Sequence, residues 1–276
     1  MSVAGPLALA ASDSLGALAP GTASGETPLT AAAVGSVSES IDWWLVGEPA
    51  DWWFVVRNVD YLAGGVLLTV GLTVASILLG FLAGFPAGAV EVYGEGLPKR
   101  LVSTAGVVLR GTPIVVILLV MYFVIGVPQV NLGVGSISPA VSASILGLGL
   151  RSAAYQSQIF RASLSSVDDG QLEAGRSVGL SRFEAIRYVV VPQALRRSIP
   201  GFQNEFTIVL KDTSIVFAIG LAELLTRGYD LFTQETTAVL EVILFISGIY
   251  FVLTFTTNRA LDYLGTRYAI PEGESA

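Results

Sequence analysis

The stretch YLAGGVLLTVGLTVASILLGFLAGFPAGAV, residues 61–90, contains no charged side chain. A helix needs about 20 apolar residues to cross a hydrocarbon core. Residues 61–90 therefore read as a complete membrane span. The rest of the 276-residue chain agrees: 53% of it is apolar, only 13% is charged, and its mean hydropathy is +0.68. Soluble domains usually carry about 25% charged residues.

Working outward, four more spans are expected, near residues 101–127, 140–160, 200–220 and 237–258. The second is interrupted by Arg110-Gly111-Thr112-Pro113, so its helix is expected to start in earnest near Pro113, where a first turn tolerates proline. The fold class is thus an all-α membrane protein, with a transmembrane domain over residues 51–265. Residues 1–50, rich in Ala, Gly, Ser and Thr with scattered acids, read as a disordered acidic tail. Residues 266–276 read as a short C-terminal tail. Trp52-Trp53 and the earlier Trp43-Trp44 suggest a segment at the membrane interface.

Positive charge orients the spans. Lys99, Arg100, Arg161, Arg176, Arg182, Arg187, Arg196, Arg197, Arg259 and Arg267 fall on one side, and Arg57 and Arg227 on the other. The first side is expected to be cytoplasmic, with the N-terminus outside and the C-terminus inside. The net charge of −7 argues against nucleic acid as a partner. The chain has neither cysteine nor histidine. That removes disulfides, thiolate nucleophiles and the commonest general base and metal ligand. No catalytic or metal site and no cofactor is expected, and a membrane-embedded enzyme is disfavoured.

The longest cytoplasmic connection, from Arg161 to about Ser198, is patterned, chiefly over residues 165–192. Asp168 with Gln171 three residues on has the form of a capping box, and so has Ser181 with Glu184. Gly179 supplies a left-handed cap between the two helices. Phe183, Ile186, Val189 and Val190 form an apolar face, and Val191-Pro192 is expected to end the second helix. Two short capped helices make a knob suited to docking into another protein.

Gln171-Leu-Glu-Ala-Gly-Arg-Ser-Val-Gly179 resembles the EAA loop of ABC importer permeases. Arg110-Gly111-Thr112-Pro113 resembles a motif of the polar-amino-acid branch. Ala153-Ala154-Tyr155 with Arg161, Pro192-Gln193-Ala194-Leu195-Arg196, Pro200, Asn204, Lys211-Asp212-Thr213-Ser214 and Glu223-Leu224 continue the series in order. The resemblance runs from about residue 59 to 263. It implies a five-span ABC type I permease core with a two-helix cytoplasmic coupling loop. It implies a separate ATPase subunit, an extracellular solute-binding protein and a second permease subunit, identical or sister. The cargo implied is an amino acid, polar or charged, moved by alternating access. An ABC permease for another small solute is the alternative, ahead of a channel or secondary transporter.

Gln171, Glu173, Ala174, Gly175 and Gly179 are the expected ATPase-coupling residues. Gly175 stands where the family has its second alanine, and either permits close approach to the ATPase or is tolerated. The substrate-pathway candidates are Arg151, Gln158, Glu205, Lys211 and Asp212. Ionisable groups inside spans cost about 2.5–3.5 kcal/mol near the centre and usually face the protein interior or a water-filled path. Glu205 and Asp212, seven residues apart, share a helix face, with Lys211 beside them. They form either a pocket for a zwitterion or an internal ion pair that stabilises a break at Lys211-Asp212-Thr213-Ser214. Arg151 either binds a substrate carboxylate or pairs with Glu205. Gln158 stands where many relatives have Glu. Arg110 either snorkels to the cytoplasmic interface or joins the pathway.

Overall fold

A computed structural model describes residues 49–131 and 136–268. The expected N-terminal tail, with Trp43-Trp44, lies outside the described residues except for Pro49 and Ala50. These begin helix α1, Pro49–Arg57, which carries Trp52 and Trp53. The C-terminal tail lies outside them beyond residue 268.

Helix α2, Val59–Tyr93, contains the charge-free stretch. Helix α3, Gly96–Gly111, is followed by α4, Ile114–Leu119, and a π turn, Val120–Val124. A two-residue ladder pairs β1, Val130–Asn131, antiparallel with β2, Ser136–Ile137. Then come α5, Pro139–Ser165; α6, Asp169–Ser177; and α7, Arg182–Ala185, running through a π turn, Ile186–Val190, into α8, Val191–Asp212. A 3-10 segment, Thr213–Ile219, leads to α9, Leu224–Gln234, and α10, Val239–Tyr268.

By length and apolarity, α2 and α10 each qualify as a membrane span, and α3 with α4 form a bent pair. Helices α5 and α8, with 27 and 22 residues, are long enough, at ~1.5 Å per residue. Their polar and charged residues keep them from qualifying on composition. The second expected span is not one straight helix, because α3 and α4 meet at 106°. Pro113 has no amide hydrogen to continue the ladder. Thr112 and Pro113 adopt extended ψ angles of 131° and 137° there. The fourth expected span is displaced towards the N-terminus. Pro192 does not end a helix but sits in the first turn of α8, where a missing donor costs little.

The most extensive contact joins α2 to α5. Its basis is the glycines of a buried small-residue stripe on α2, which runs Thr69, Thr73, Ser76, Gly80, Gly84 and Gly88. Spacings of three and four keep them on one face. Small residues let helix backbones approach closely where lipid supplies no hydrophobic drive. A Cβ on Gly84 would lie 2.6 Å from the Ala153 carbonyl oxygen, and one on Gly88 2.7 Å from that of Ser157. Phe160 on α5 packs between α2 and α8, with ring centroids 4.9 Å from Phe85 on α2 and 4.8 Å from Phe202 on α8. A second apolar cluster joins α1, α2, α9 and α10 through Val55, Leu62, Leu224, Leu231 and Val242.

Candidate functional site

Ser181 and Glu184 form the expected capping box. The Glu184 amide donates to the Ser181 hydroxyl (3.3 Å), and the Ser181 amide donates to the Glu184 carboxylate (2.9 Å). The Ser181 hydroxyl, which donates to the Glu184 carboxylate at 2.7 Å, and after it the Ser181 amide hold that carboxyl below its ordinary range. Asp168 also caps, accepting from the Gly170 amide at 2.7 Å. Gln171 does not complete a second box; its side chain instead accepts from Gln193 at 3.3 Å, joining α6 to α8. Gly179 has φ +95°, a conformation that strains any residue with a Cβ.

Gln171, Glu173 and Ala174 are exposed on α6, as is Gly179 beyond it. Gly175 is not. It is buried against α7, and a Cβ there would lie 3.1 Å from the Ala185 Cβ. Glycine at this position brings the two loop helices together rather than presenting a surface to a partner. Val178 and Phe183 are 79% and 70% exposed. Beside them Glu173, Arg176, Arg182 and Glu184 line a shallow concavity. Phe183 belonged to the expected apolar face, whereas Val178 was missed, since a lone valine has no periodic signal. Below the loop, Leu164, Val167, Val190 and Ala194 are buried together, with Val92, Tyr93 and Leu172 packed on them. Arg197 donates to the carbonyl and hydroxyl of Ser166. The knob is thereby fixed to the ends of α2, α5 and α8.

Deeper in the bundle, Arg151 on α5 pairs with Asp212 at the end of α8. Its guanidinium also lies over the Tyr155 ring, 5.1 Å from the centroid. Asp212, rather than Glu205, is therefore its ion-pair partner. Glu205 is buried, 4% exposed, against Ser152 and near the pair. The pair sits where α8 gives way to the 3-10 segment, so the break expected there is real and Arg151 supplies its cation. Lys211 does not join this cluster. It is exposed and lines a separate hollow of about 390 Å³ with Ser214, Ser247, Tyr250 and apolar residues of α9 and α10. Gln158 is also apart. It donates to Glu91 at 2.7 Å, and Arg161 lies 3.7 Å from the same carboxylate oxygen. Arg110 donates to the Ala154 carbonyl at 2.6 Å and ties the bent pair to α5.

Glu223, seen in the sequence only as part of a motif, is fully buried. It accepts from the Leu225 and Thr226 amides (2.9 and 2.8 Å), capping α9, and from the Tyr250 hydroxyl (3.0 Å) on α10. Thr69 on α2 approaches it at 3.4 Å. An acid followed three residues later by Thr226 was the available signal. Glu91, buried at 4% exposure near the end of α2, carried none.

The pattern of knob, bent pair and helix order has known counterparts. Residues 60–270 match the family model described as binding-protein-dependent transport system inner membrane component. The chain belongs to that family. The permease is 32% identical over 212 residues to the glutamine transport system permease protein GlnP of Escherichia coli K12, covering 77% of this chain and 94% of GlnP. It is 40% identical over 153 residues to the probable amino-acid permease protein YxeN of Bacillus subtilis, covering 55% of this chain and 66% of YxeN. A solved amino acid ABC transporter with histidines superposes with TM-score 0.67 at 34% identity, covering 77% of this chain and 96% of that one. The methionine transporter MetNI, at TM-score 0.62 and 19% identity, shares the fold. The permease is thus the membrane subunit of an ABC importer. ATP hydrolysis belongs to a separate subunit, and a binding protein belongs to the same machinery.

Proposed function

We propose that the permease carries amino acids into the cell by alternating access, as half of a two-subunit path. The observation that carries the mechanism is the welded knob. Its two helices share one apolar cluster with the ends of the core helices, so a push on the knob is delivered to them as a rigid displacement. Exposed Gln171, Glu173, Ala174 and Gly179 provide the ATPase contact, with Val178 and Phe183 as its apolar part; Gly175 sets the angle between the helices. Five crossings, made by α2, the bent α3–α4 pair, α5, α8 and α10, put the basic side and the knob in the cytoplasm and the N-terminus outside.

The cargo reading is supported by the relatives named for glutamine and amino acids. Arg151, Asp212 and Glu205 supply the matching chemistry. A zwitterion entering there exchanges the internal pair for two of its own, carboxylate to Arg151 and ammonium to Asp212 or Glu205. Lys211 lines a second, mainly apolar position on the way, and Gln158 belongs to the cytoplasmic end. The test is uptake into liposomes containing the permease, its ATPase and its binding protein, with ATP on the knob side. Labelled amino acids are expected to accumulate only with ATP and loaded binding protein. Accumulation of another solute class, with every amino acid excluded, would reject the cargo reading and leave the permease assignment standing.

A further inference from the structure

On the knob side of the bundle, Glu91, Lys99, Arg100, Ser103, Thr104 and Arg161 line a cavity of about 430 Å³. Three cations face one carboxylate. Glu91 is already engaged by Gln158 and Arg161. Lys99 and Arg100 have no ion-pair partner among the described residues.

The spacing on α3 adds direction. Lys99 and Arg100, Ser103 and Thr104, and Val107 and Val108 follow one another at intervals of four, so they lie along one face. The face runs from charge to hydroxyl to hydrocarbon over about 12 Å. Val107 and Val108 are 60% and 59% exposed. A free phosphate needs the cations alone and makes no use of the valines. A phospholipid uses all three levels: phosphodiester on the cations, glycerol oxygens on the hydroxyls, and acyl chain along the valines. Basic pockets beside membrane helices on the cytoplasmic side suit anionic headgroups. We infer that this cavity binds the headgroup of an anionic phospholipid, a role independent of what the permease carries.

The permease–ATPase complex, placed in nanodiscs of equal phosphatidylcholine and phosphatidylglycerol, would be transferred to native mass spectrometry to count retained lipid. Wild type is expected to retain phosphatidylglycerol in preference to phosphatidylcholine. Lys99→Gln/Arg100→Gln should reduce that preference by about fivefold per cation removed. Val107→Ser/Val108→Ser should weaken retention of the lipid, and inorganic phosphate should not displace it. Equal retention of both lipids by wild type, or unchanged preference in the glutamine variant, overturns the inference. Displacement by inorganic phosphate with no effect of the serine variant makes the ligand a free anion and overturns it too. If the glutamine variant fails to assemble, Ser103→Val/Thr104→Val keeps every charge; undiminished retention in that variant also counts against the site.

Discussion

Arg151 and Asp212 each remain about one-fifth exposed at the side chain, so their pairing is neither a surface ion pair nor a fully dry one. Removing one partner of a buried pair leaves an uncompensated charge and costs about 3–5 kcal/mol; replacing both by apolar groups is often neutral. Asp212→Leu is therefore expected to lower thermal stability by an amount near the bottom of that range. Adding Arg151→Met should recover most of the loss while uptake stays abolished. Differential scanning fluorimetry with transport on the same preparations checks this, and a double variant no more stable than the single would refute the pairing. Glu184 makes a second residue-level prediction. A carboxyl held below its ordinary range stabilises the fold above that range, and the contribution disappears as pH falls through the lowered value. Protection factors for amide exchange at Phe183 to Ile186 should fall as pH drops below the ordinary glutamate range in wild type. In Glu184→Ala they should be low already at neutral pH. At this scale the sequence disclosed Ser181–Glu184 and Gly179 because caps are local. It offered Glu205 and a substrate carboxylate as partners for Arg151 and not Asp212, because the choice between two acids of one helix depends on how α5 and α8 are rotated.

At the scale of elements, the α2–α5 seam has a testable asymmetry along one helix. Gly84 faces a backbone carbonyl, whereas a Cβ on Gly71 would have no neighbour within 4 Å. Alanine favours an exposed helix interior over glycine by about 1 kcal/mol. Gly71→Ala should therefore leave the thermal midpoint unchanged or raise it, and Gly84→Ala should lower it. Equal effects would mean that close approach does not hold the seam together. The uncharged run of residues 61–90 makes α2 legible from composition alone. The bend between α3 and α4 was announced by Arg110-Gly111-Thr112-Pro113, yet its 106° angle was not. A proline says that a ladder stops; the tether from Arg110 to Ala154 fixes where the chain goes next. The junction of α7 and α8 was misplaced for a related reason. Proline at residue 192 suits either a stop or a first turn, and the apolar cluster around Val190 and Ala194 selects the second.

For the whole molecule, the consequence of a knob fused to the core is that its surface can be altered without disturbing the bundle. Glu173→Ala combined with Gly179→Val exchanges one exposed contact and strains one left-handed turn, at about 1–3 kcal/mol for the turn. The assembled complex carrying both changes is expected to lose uptake and stimulation of ATP hydrolysis by loaded binding protein, while the isolated permease retains its helical circular dichroism. Full coupling in that complex would place the ATPase contact elsewhere. The architecture was readable because spaced motifs span most of the chain. The proposed lining of the path was not, since it is assembled from side chains distant in sequence.

The pairing of Arg151 with Asp212 also has a history in time. The two residues are separated by 61 positions, and in the five-crossing arrangement proposed above they belong to different crossings. Chains are synthesised at about 5–20 residues per second, so Asp212 leaves the ribosome some 3–12 s after Arg151. For that interval a guanidinium that costs about 2.5–3.5 kcal/mol in lipid has no counter-ion. Entry into the bilayer together with α8 would spare α5 that cost. An ion pair that joins α5 to α8 in the finished permease thus favours, during biosynthesis, insertion of the two helices together.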